Sequence, residues 1–503
     1  MPNVRKTGTD PFQTEHLASG LKARAVKSMG ITVSAQVFKL VLQIISITTL
    51  ARLLNPTDFG LVAMVAVFTG LIQSLVDGGL SMATIQRKDI THQQVSNLFW
   101  INTALGLLLC LFSILIAPVI AALYGEPQLT GIMIALSITF LMSGISVQHD
   151  ALLRRQMRFK AIAVIDILSV AGGIGAGVAA AVYGLGYWAL VVLSVATATI
   201  QMCSRWLALS WWPSFIARGT GIRPLVSFGL NLTGADFVGY FVSNATPFFV
   251  GFIGGAQVAG IFNRAQTLTS MPSRQLMPPV IKVLQPTLSR VADDPIKLRR
   301  VITGSVRKIA LVTMFFTINM VVMADWIVAV VLGSGWDDTV RVFQFLSVFT
   351  FVTPITTFTA VALIAAGAAR ALLYWRFMTL GILLASLLVG MLWGVSGVIA
   401  AFALSGFFVR VPLFLYYSSR YLPVSFGEYL TGLAPVLVVA TVTALLLVTC
   451  RQLCEIGNPL VGVIVFGTVT LCTYLALCFS MPSLRGELSE TKELMKPLMK
   501  IFR

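Results

Sequence analysis

Four of the basic residues that stand inside long apolar stretches of this sequence have the most distinctive chemistry in the chain. They are Lys39, Arg264, Arg274 and Lys282. A cation among apolar residues is costly unless it meets an opposite charge, and arginine can donate two parallel hydrogen bonds to one phosphate. The four residues therefore predict a binding site for an anionic ligand, with phosphate as the best match.

Helical spacing predicts which of these side chains share a face. At about 100° per residue, Arg264 and Lys282 fall at the same azimuth and Arg274 about 80° away. The three would then form a ladder of positive charge along one side of a cavity. A competing interpretation is that Lys282 and Arg264 extend to the lipid headgroups at the two membrane surfaces. The polar residues predicted to line the same cavity are Gln36 and Gln43 beside Lys39, and Asn263 and Gln266 beside Arg264.

Acidic residues are fewer in the apolar stretches, and two of them suggest roles. Asp236 is followed by Tyr240 and Asn244 at four-residue steps. This spacing predicts that Asp236 faces the cavity, as the partner of a cation or as a site for a coupling ion. Asp77 precedes two glycines and is predicted instead to cap a helix end.

The elements that carry these residues must be membrane-spanning helices. Of the 503 residues, 57% are hydrophobic and 11% charged, and the mean hydropathy is +0.88. Many apolar runs reach the roughly 20 residues that cross a bilayer core of about 30 Å. Long continuous runs favour helices over the alternating strands of a barrel. The fold class predicted is therefore an all-α polytopic membrane protein.

Segmentation of the apolar runs predicts fourteen crossings. Lysine and arginine collect in every second loop, which places both termini in the cytoplasm by the positive-inside rule. The predicted crossings are 29–54, 58–78, 96–123, 128–147, 161–183, 187–210, 225–252, 256–283, 303–332, 338–365, 371–392, 396–418, 428–449 and 459–480.

An internal repeat divides the crossings into two halves. Gly125 and Gly333 are 208 residues apart at corresponding turns, and Gly184 and Gly394 are 210 apart. Because each copy has six crossings, an even number, both copies insert in the same orientation. They should then be related by a pseudo-twofold axis along the membrane normal. The predicted organisation is a cytoplasmic segment at 1–28, six-helix lobes at 29–218 and 219–425, an extra hairpin at 426–482 and a cytoplasmic amphipathic tail at 483–503.

Several function classes are disfavoured by what the sequence contains. Basic residues account for the net charge of +17, but they are spread over short loops, which disfavours nucleic acid as a partner. No catalytic motif stands in a supporting context, and the histidine spacing resembles no metal site. We therefore predict a transporter without a catalytic residue, metal or cofactor, and not an enzyme.

The sequence resembles a known family in three short regions. They are Ala51-Arg52-Leu53-Leu54-Asn55-Pro56-Thr57-Asp58-Phe59-Gly60-Leu61-Val62-Ala63-Met64, Asp77-Gly78-Gly79-Leu80 with Gln86-Arg87-Lys88, and Leu152-Leu153-Arg154-Arg155. These residues resemble the Wzx-like flippases, the polysaccharide-transporter branch of the MOP superfamily. The first region is similar to exporters of exopolysaccharide units of the colanic acid, succinoglycan or xanthan type.

This resemblance implies a V-shaped, two-lobe transporter in a bacterial inner membrane. It would move an undecaprenyl-diphosphate-linked oligosaccharide to the periplasmic leaflet by alternating access, with the polysaccharide polymerase and export machinery as further partners. The family's cationic cavity residues correspond to Lys39, Arg264 and Arg274. Coupling to a proton or sodium gradient would be possible through Asp236.

Two alternatives predict different features. A cation-coupled multidrug exporter of the MATE type would have intramembrane acids for cationic drugs and twelve crossings. A membrane-embedded glycosyltransferase or polymerase would have a large periplasmic loop or a pair of catalytic acids. The excess of intramembrane cations and the short predicted outer loops favour the flippase over both.

Overall fold

A computed structural model describes residue 12 and residues 21–77, 79–87, 89–454, 456–482 and 484–486. It describes the backbone alone for residues 21–29, 31–33, 223–224, 228–236 and 283. The predicted segment 1–28 lies outside the described residues except for Phe12 and the start of the first helix. The predicted amphipathic tail 483–503 lies outside them except for 484–486.

The chain forms two compact units, which are Met1–Asn244 with Gly255–Gln257 and Ala245–Gly254 with Val258–Arg503. The helices of the first unit are α1 (Leu21–Leu53), α2 (Pro56–Val76), α3 (Leu80–Gln86), α4 (His92–Tyr124), α5 (Gln128–Arg155), α6 (Phe159–Val182), α7 (Trp188–Ala208) and the beginning of α8 (Arg223–Val291). The second unit contains the remainder of α8 and α9 (Pro295–Val322), α10 (Ala324–Val331), α11 (Asp337–Thr350), α12 (Val352–Ala365), α13 (Ala369–Gly390), α14 (Gly394–Leu404), α15 (Val411–Ser418), α16 (Phe426–Leu453) and α17 (Pro459–Ser480). The lobe boundaries at 218/219 and 425/426 stay predictions.

The all-α polytopic fold predicted from the sequence is confirmed. The described residues contain no β-strand, and twelve of their helical stretches are long and apolar enough to cross a membrane. Two of these stretches, Phe237–Lys282 and Ala369–Ser418, have 46 and 50 residues, about twice the roughly 20 that one crossing needs. Each contains a glycine with positive φ, Gly255 or Gly394. The count of fourteen crossings stays a prediction.

The turn between α1 and α2 is capped by its own residues. The Asp58 carboxylate accepts a hydrogen bond from the Asn55 N–H at 3.0 Å, and Pro56 occupies the first helical position. Proline suits this position because the first N–H groups of a helix have no partner inside it. The chain can therefore reverse direction within a few residues.

The glycines that suggested the repeat share one backbone property. Gly125, Gly333, Gly184 and Gly394 all have positive φ, between 68° and 89°. Residues with a Cβ rarely adopt this conformation, so glycine is the favoured residue at each of these turns. The local backbone thus agrees with the repeat, while the pseudo-twofold relation of the two halves stays a prediction.

The break between α2 and α3 is held by a buried polar network. The Asn102 amide donates to the carbonyls of Val76 and Asp77, each at 3.0 Å, and Gln148 donates to Asn102 Oδ1 at 2.8 Å. The Asp77 carboxylate accepts from the Ser81 N–H at 3.0 Å and from the Ser81 hydroxyl at 2.5 Å. Asp77 therefore caps α3, as predicted, and the network satisfies carbonyls that the break removes from the helical pattern.

Helices α4 and α5 pack closely through glycines. A Cβ placed on Gly144 would lie 2.5 Å from the carbonyl oxygen of Asn102, and one on Gly106 would lie 2.7 Å from that of Phe140. Small residues allow this close approach of helix backbones within a membrane.

We expect Gly144→Val to destabilise the protein by about 1–3 kcal/mol, because the two helix backbones must separate to admit the side chain. A lower apparent melting temperature in detergent would show this. Gly175→Val is the matched control, since a Cβ at this α6 glycine meets nothing within 4 Å. Equal melting temperatures for the two variants would contradict the prediction.

Arg155 joins three separate segments at one end of the first unit. This side chain is 5% exposed. Its Nη1 donates to the carbonyls of Thr84 at 3.0 Å and Arg87 at 2.5 Å, and Nε and Nη2 donate to the Phe12 carbonyl at 3.3 and 3.2 Å. One guanidinium thus supplies hydrogen-bond donors to two carbonyl oxygens at the end of α3 and to the Phe12 carbonyl.

The segment after α7 is fixed to the start of α4 by a set of hydrogen bonds. The Asn97 side chain donates to the Ala217 carbonyl at 2.7 Å and accepts from the Ala217 N–H at 3.0 Å. Trp100 donates from its indole nitrogen to the Ser214 carbonyl at 2.9 Å. Hydrogen bonds to α4 therefore hold the segment that follows α7 in place.

Candidate functional site

Lys39 lies on α1 and forms an ion pair inside the first unit. Its Nζ is 3.6 Å from Oδ2 of Asp166, which lies on α6. The Gln201 amide of α7 donates to Oδ1 of the same carboxylate at 3.4 Å. The sequence predicted that Lys39 binds an anionic ligand. In this structure its ammonium group pairs with the Asp166 carboxylate.

The Lys39–Asp166 pair remains accessible. The side chains of Lys39 and Asp166 are 31% and 32% exposed, and Gln36 and Gln43 are exposed on the same helix. The other residues of the unit therefore do not fully cover the ammonium group of Lys39.

Arg264 lies in α8 and is oriented by the residue before it. Its Nε and Nη2 donate to Oδ1 of Asn263, at 3.2 and 2.6 Å. Arg264, Asn263 and Gln266 are all partly buried. Asn263, predicted to line the cavity, thus helps to hold the guanidinium plane. The plane is suited to the two parallel hydrogen bonds that arginine forms with phosphate oxygens.

Arg274 and Lys282 occupy a different environment from Arg264. Both side chains are exposed in the second unit, whereas Arg264 is partly buried. Because α8 contains Pro272, Pro278 and Pro279, the ideal azimuths used to predict a ladder of charge do not transfer directly along this helix. Binding of an anion by Arg274 and Lys282 stays a prediction.

Asp236, Tyr240 and Asn244 were predicted to share one face of α8, with Asp236 as the site for a coupling ion. The Asp236 side chain lies outside the described residues. The Tyr240 hydroxyl donates to the carbonyls of Val67 at 2.7 Å and Ala66 at 3.2 Å on α2. Asn244 donates to the Tyr240 carbonyl at 2.9 Å. Tyr240 therefore packs the start of α8 against α2, and a role for Asp236 stays a prediction.

Sequence reasoning missed Asp166 as the partner of Lys39. Asp166 is one of the few acids in an apolar stretch, but 127 residues separate it from Lys39. Opposite charges in two predicted crossings are a signal that they pair, since an isolated charge in the membrane is costly. Only the packing of α1 against α6 identifies which acid meets which cation.

Comparison with known proteins gives a family and a fold. The family model described as polysaccharide biosynthesis protein matches residues 49–341. A lipopolysaccharide biosynthesis protein, WzxC of Escherichia coli (strain K12), is 26% identical over 334 residues, which cover 65% of this chain and 67% of that protein. The teichuronic acid biosynthesis protein TuaB of Bacillus subtilis (strain 168) is 26% identical over 378 residues, which cover 73% and 74%.

Solved structures share the same helical architecture. The lipid II flippase MurJ in an inward closed conformation has a TM-score of 0.71 at 12% identity, and the match covers 89% of this chain and 98% of that one. An inward-facing MATE-family multidrug resistance transporter of the MOP superfamily has a TM-score of 0.55 at 14% identity, over 78% and 94%. These similarities show that the chain shares its fold with both proteins. The family model matches more than half of this chain. The chain therefore belongs to the polysaccharide biosynthesis protein family.

Proposed function

We propose that this chain is a flippase for lipid-linked oligosaccharides. It moves undecaprenyl-diphosphate-linked repeat units across the bacterial inner membrane, for exopolysaccharide or lipopolysaccharide biosynthesis. The observation that carries this proposal is the family match over residues 49–341 of a multi-pass helical membrane protein. The names of the relatives support it, since WzxC and TuaB are polysaccharide biosynthesis proteins and one solved neighbour flips lipid II.

The diphosphate is the charged part of such a substrate, and its charge needs help from the protein to cross the membrane interior. We infer that Lys39 and Arg264 provide this help, with Arg274 and Lys282 as further cations. Lys39 supplies a compact positive charge, and Arg264 supplies a planar donor that its neighbour Asn263 already orients. The polyprenyl tail remains in lipid, which requires no polar partner, while the head group moves by alternating access.

The remaining features of the proposal follow from a transport function. The chain would act without catalysis and without a cofactor, with both termini in the cytoplasm. A proton or sodium gradient would supply the driving force through an intramembrane acid, for which Asp236 is the sequence-based candidate. The polysaccharide polymerase and export machinery would receive the flipped product.

Two measurements test the proposed substrate. Mass spectrometry of lipids that co-purify with the protein is expected to detect a polyprenyl-diphosphate glycan. Purified protein in liposomes is expected to move a fluorescent lipid-linked oligosaccharide to the leaflet exposed to a membrane-impermeant quencher, faster than protein-free liposomes do. If no such lipid co-purifies, the glycan is not moved and the protein confers drug resistance on cells, the MATE-type exporter would replace this proposal.

A further inference from the structure

Asp166 is an intramembrane acid that the transport of an anion leaves without an obvious role. It lies in α6, opposite the cation proposed to bind the diphosphate, and would repel that group. Acids inside membrane helices are costly and usually serve a function. Its two carboxylate oxygens have different partners, Lys39 and Gln201, and these two contacts indicate its function.

The two oxygens are held from two different helices. Oδ2 is 3.6 Å from Lys39 Nζ on α1, and Oδ1 accepts a hydrogen bond from Gln201 Nε2 on α7 at 3.4 Å. The Gln201 contact does not depend on Lys39. If the ammonium group moves to another anion, Asp166 therefore keeps a donor and is not left without any polar partner in the membrane.

The geometry of the ion pair is suited to exchange. A charge-assisted hydrogen bond between an ammonium and a carboxylate is about 2.7–2.9 Å long, whereas the Lys39–Asp166 distance is 3.6 Å. Both side chains are about one-third exposed. A diphosphate can therefore approach Lys39 and form a shorter contact than the one it replaces.

We propose that Asp166 is an exchangeable counter-ion for the diphosphate site. It neutralises Lys39 while the site is empty, gives way when the diphosphate binds, and competes for Lys39 again when the substrate leaves. The inference rests on the proposed flippase function and adds to it a residue that sets affinity and release. Asp166 acts through Lys39 and does not itself bind the substrate.

Removal of this competition is expected to change binding and turnover in opposite directions. Asp166→Asn keeps the size of the side chain and a group that can pair with Gln201. We expect it to bind undecaprenyl diphosphate, used as a sugar-free probe, about fivefold more tightly, which corresponds to a partly exposed ion pair. Flipping of a lipid-linked oligosaccharide in liposomes should slow, because Lys39 then releases the diphosphate less readily.

A double-mutant cycle tests whether Asp166 acts through Lys39. Lys39→Gln alone should weaken binding of undecaprenyl diphosphate in lipid nanodiscs. In the Lys39→Gln background, Asp166→Asn should give a smaller gain, because only its direct repulsion of the diphosphate is relieved and the group for which it competed is gone. A purely structural role would instead lower thermal stability, binding and turnover together.

Asp150 provides a matched control in the same unit. It pairs with Arg205 at 3.2 Å, and Arg205 is one helical turn beyond Gln201 on α7. Asp150→Asn should leave the affinity for undecaprenyl diphosphate unchanged, even where it lowers stability. Tighter binding in this control would attribute the effect to net charge and overturn the inference.

The outcomes distinguish this inference from the proposed function. If the wild-type protein neither binds undecaprenyl diphosphate nor moves the glycan, the flippase proposal fails. If the wild-type protein does both, and Asp166→Asn binds equally or more weakly, only the role of Asp166 as counter-ion fails. A gain in affinity of the same size in the Lys39→Gln background would also overturn it.

Discussion

Replacement of Arg264 by glutamine is expected to reduce export of the lipid-linked glycan by about ten- to a hundredfold. Hydrogen bonds to charged groups contribute about 1.5–3 kcal/mol each, and glutamine loses both the charge and the paired donors. Because Asn263 orients the guanidinium, little ordering is needed when the substrate arrives. The measurement is the rate of flipping in liposomes, with the affinity for undecaprenyl diphosphate measured in parallel.

Two further variants test whether the effect of Arg264→Gln comes from the loss of this guanidinium. Arg264→Lys keeps the charge but not the planar donor, and we expect an intermediate rate. Arg299→Gln removes an exposed cation of the second unit that pairs with Glu428, and it should flip the glycan at the normal rate. Full export by Arg264→Gln would show that Arg264 does not bind the anion.

Replacement of Arg155 by methionine is expected to cost about 3 kcal/mol of stability. Methionine retains much of the apolar stem but leaves the carbonyls of Thr84, Arg87 and Phe12 without their common donor. A buried polar group that loses its partner costs about 1–3 kcal/mol. The readouts are the apparent melting temperature in detergent and the yield of folded protein from membranes.

The neighbouring arginine serves as the control for Arg155. Arg154 forms a single ion pair with Asp150 at 2.6 Å, and its side chain is 47% exposed. Exposed ion pairs contribute about 0–1 kcal/mol, so Arg154→Met should change the melting temperature little. Equal losses from both variants would indicate that the number of basic residues, not the buried contacts of Arg155, determines stability.

The loops between helices were the most predictable part of the chain. Asp77 caps a helix end as predicted, and α2 starts with proline and aspartate at positions that favour these residues. The glycine turns have the positive φ for which glycine is suited. These predictions succeeded because caps and turns depend on residues only a few positions apart, whose chemistry is visible in the sequence.

The polar contacts inside the units were far less predictable. Asn102 and Gln148 hold the break between α2 and α3, yet neither was identified as a structural residue. Arg155 lies between the predicted crossings 128–147 and 161–183, and the structure buries it. Such contacts depend on which faces of α3, α4 and α5 meet, and in helices with few polar residues periodicity does not specify those faces.

The sequence by itself determined the environment and the kind of chemistry. Apolar runs longer than a bilayer core require helices that satisfy their own backbone, and isolated cations in such runs require an anion. Tertiary structure alone decided which groups meet. It placed Asp166 of α6 opposite Lys39 of α1. The physical reason is that hydrophobicity specifies burial in the membrane without specifying helix rotation, whereas an ion pair requires two side chains to lie within a few ångströms.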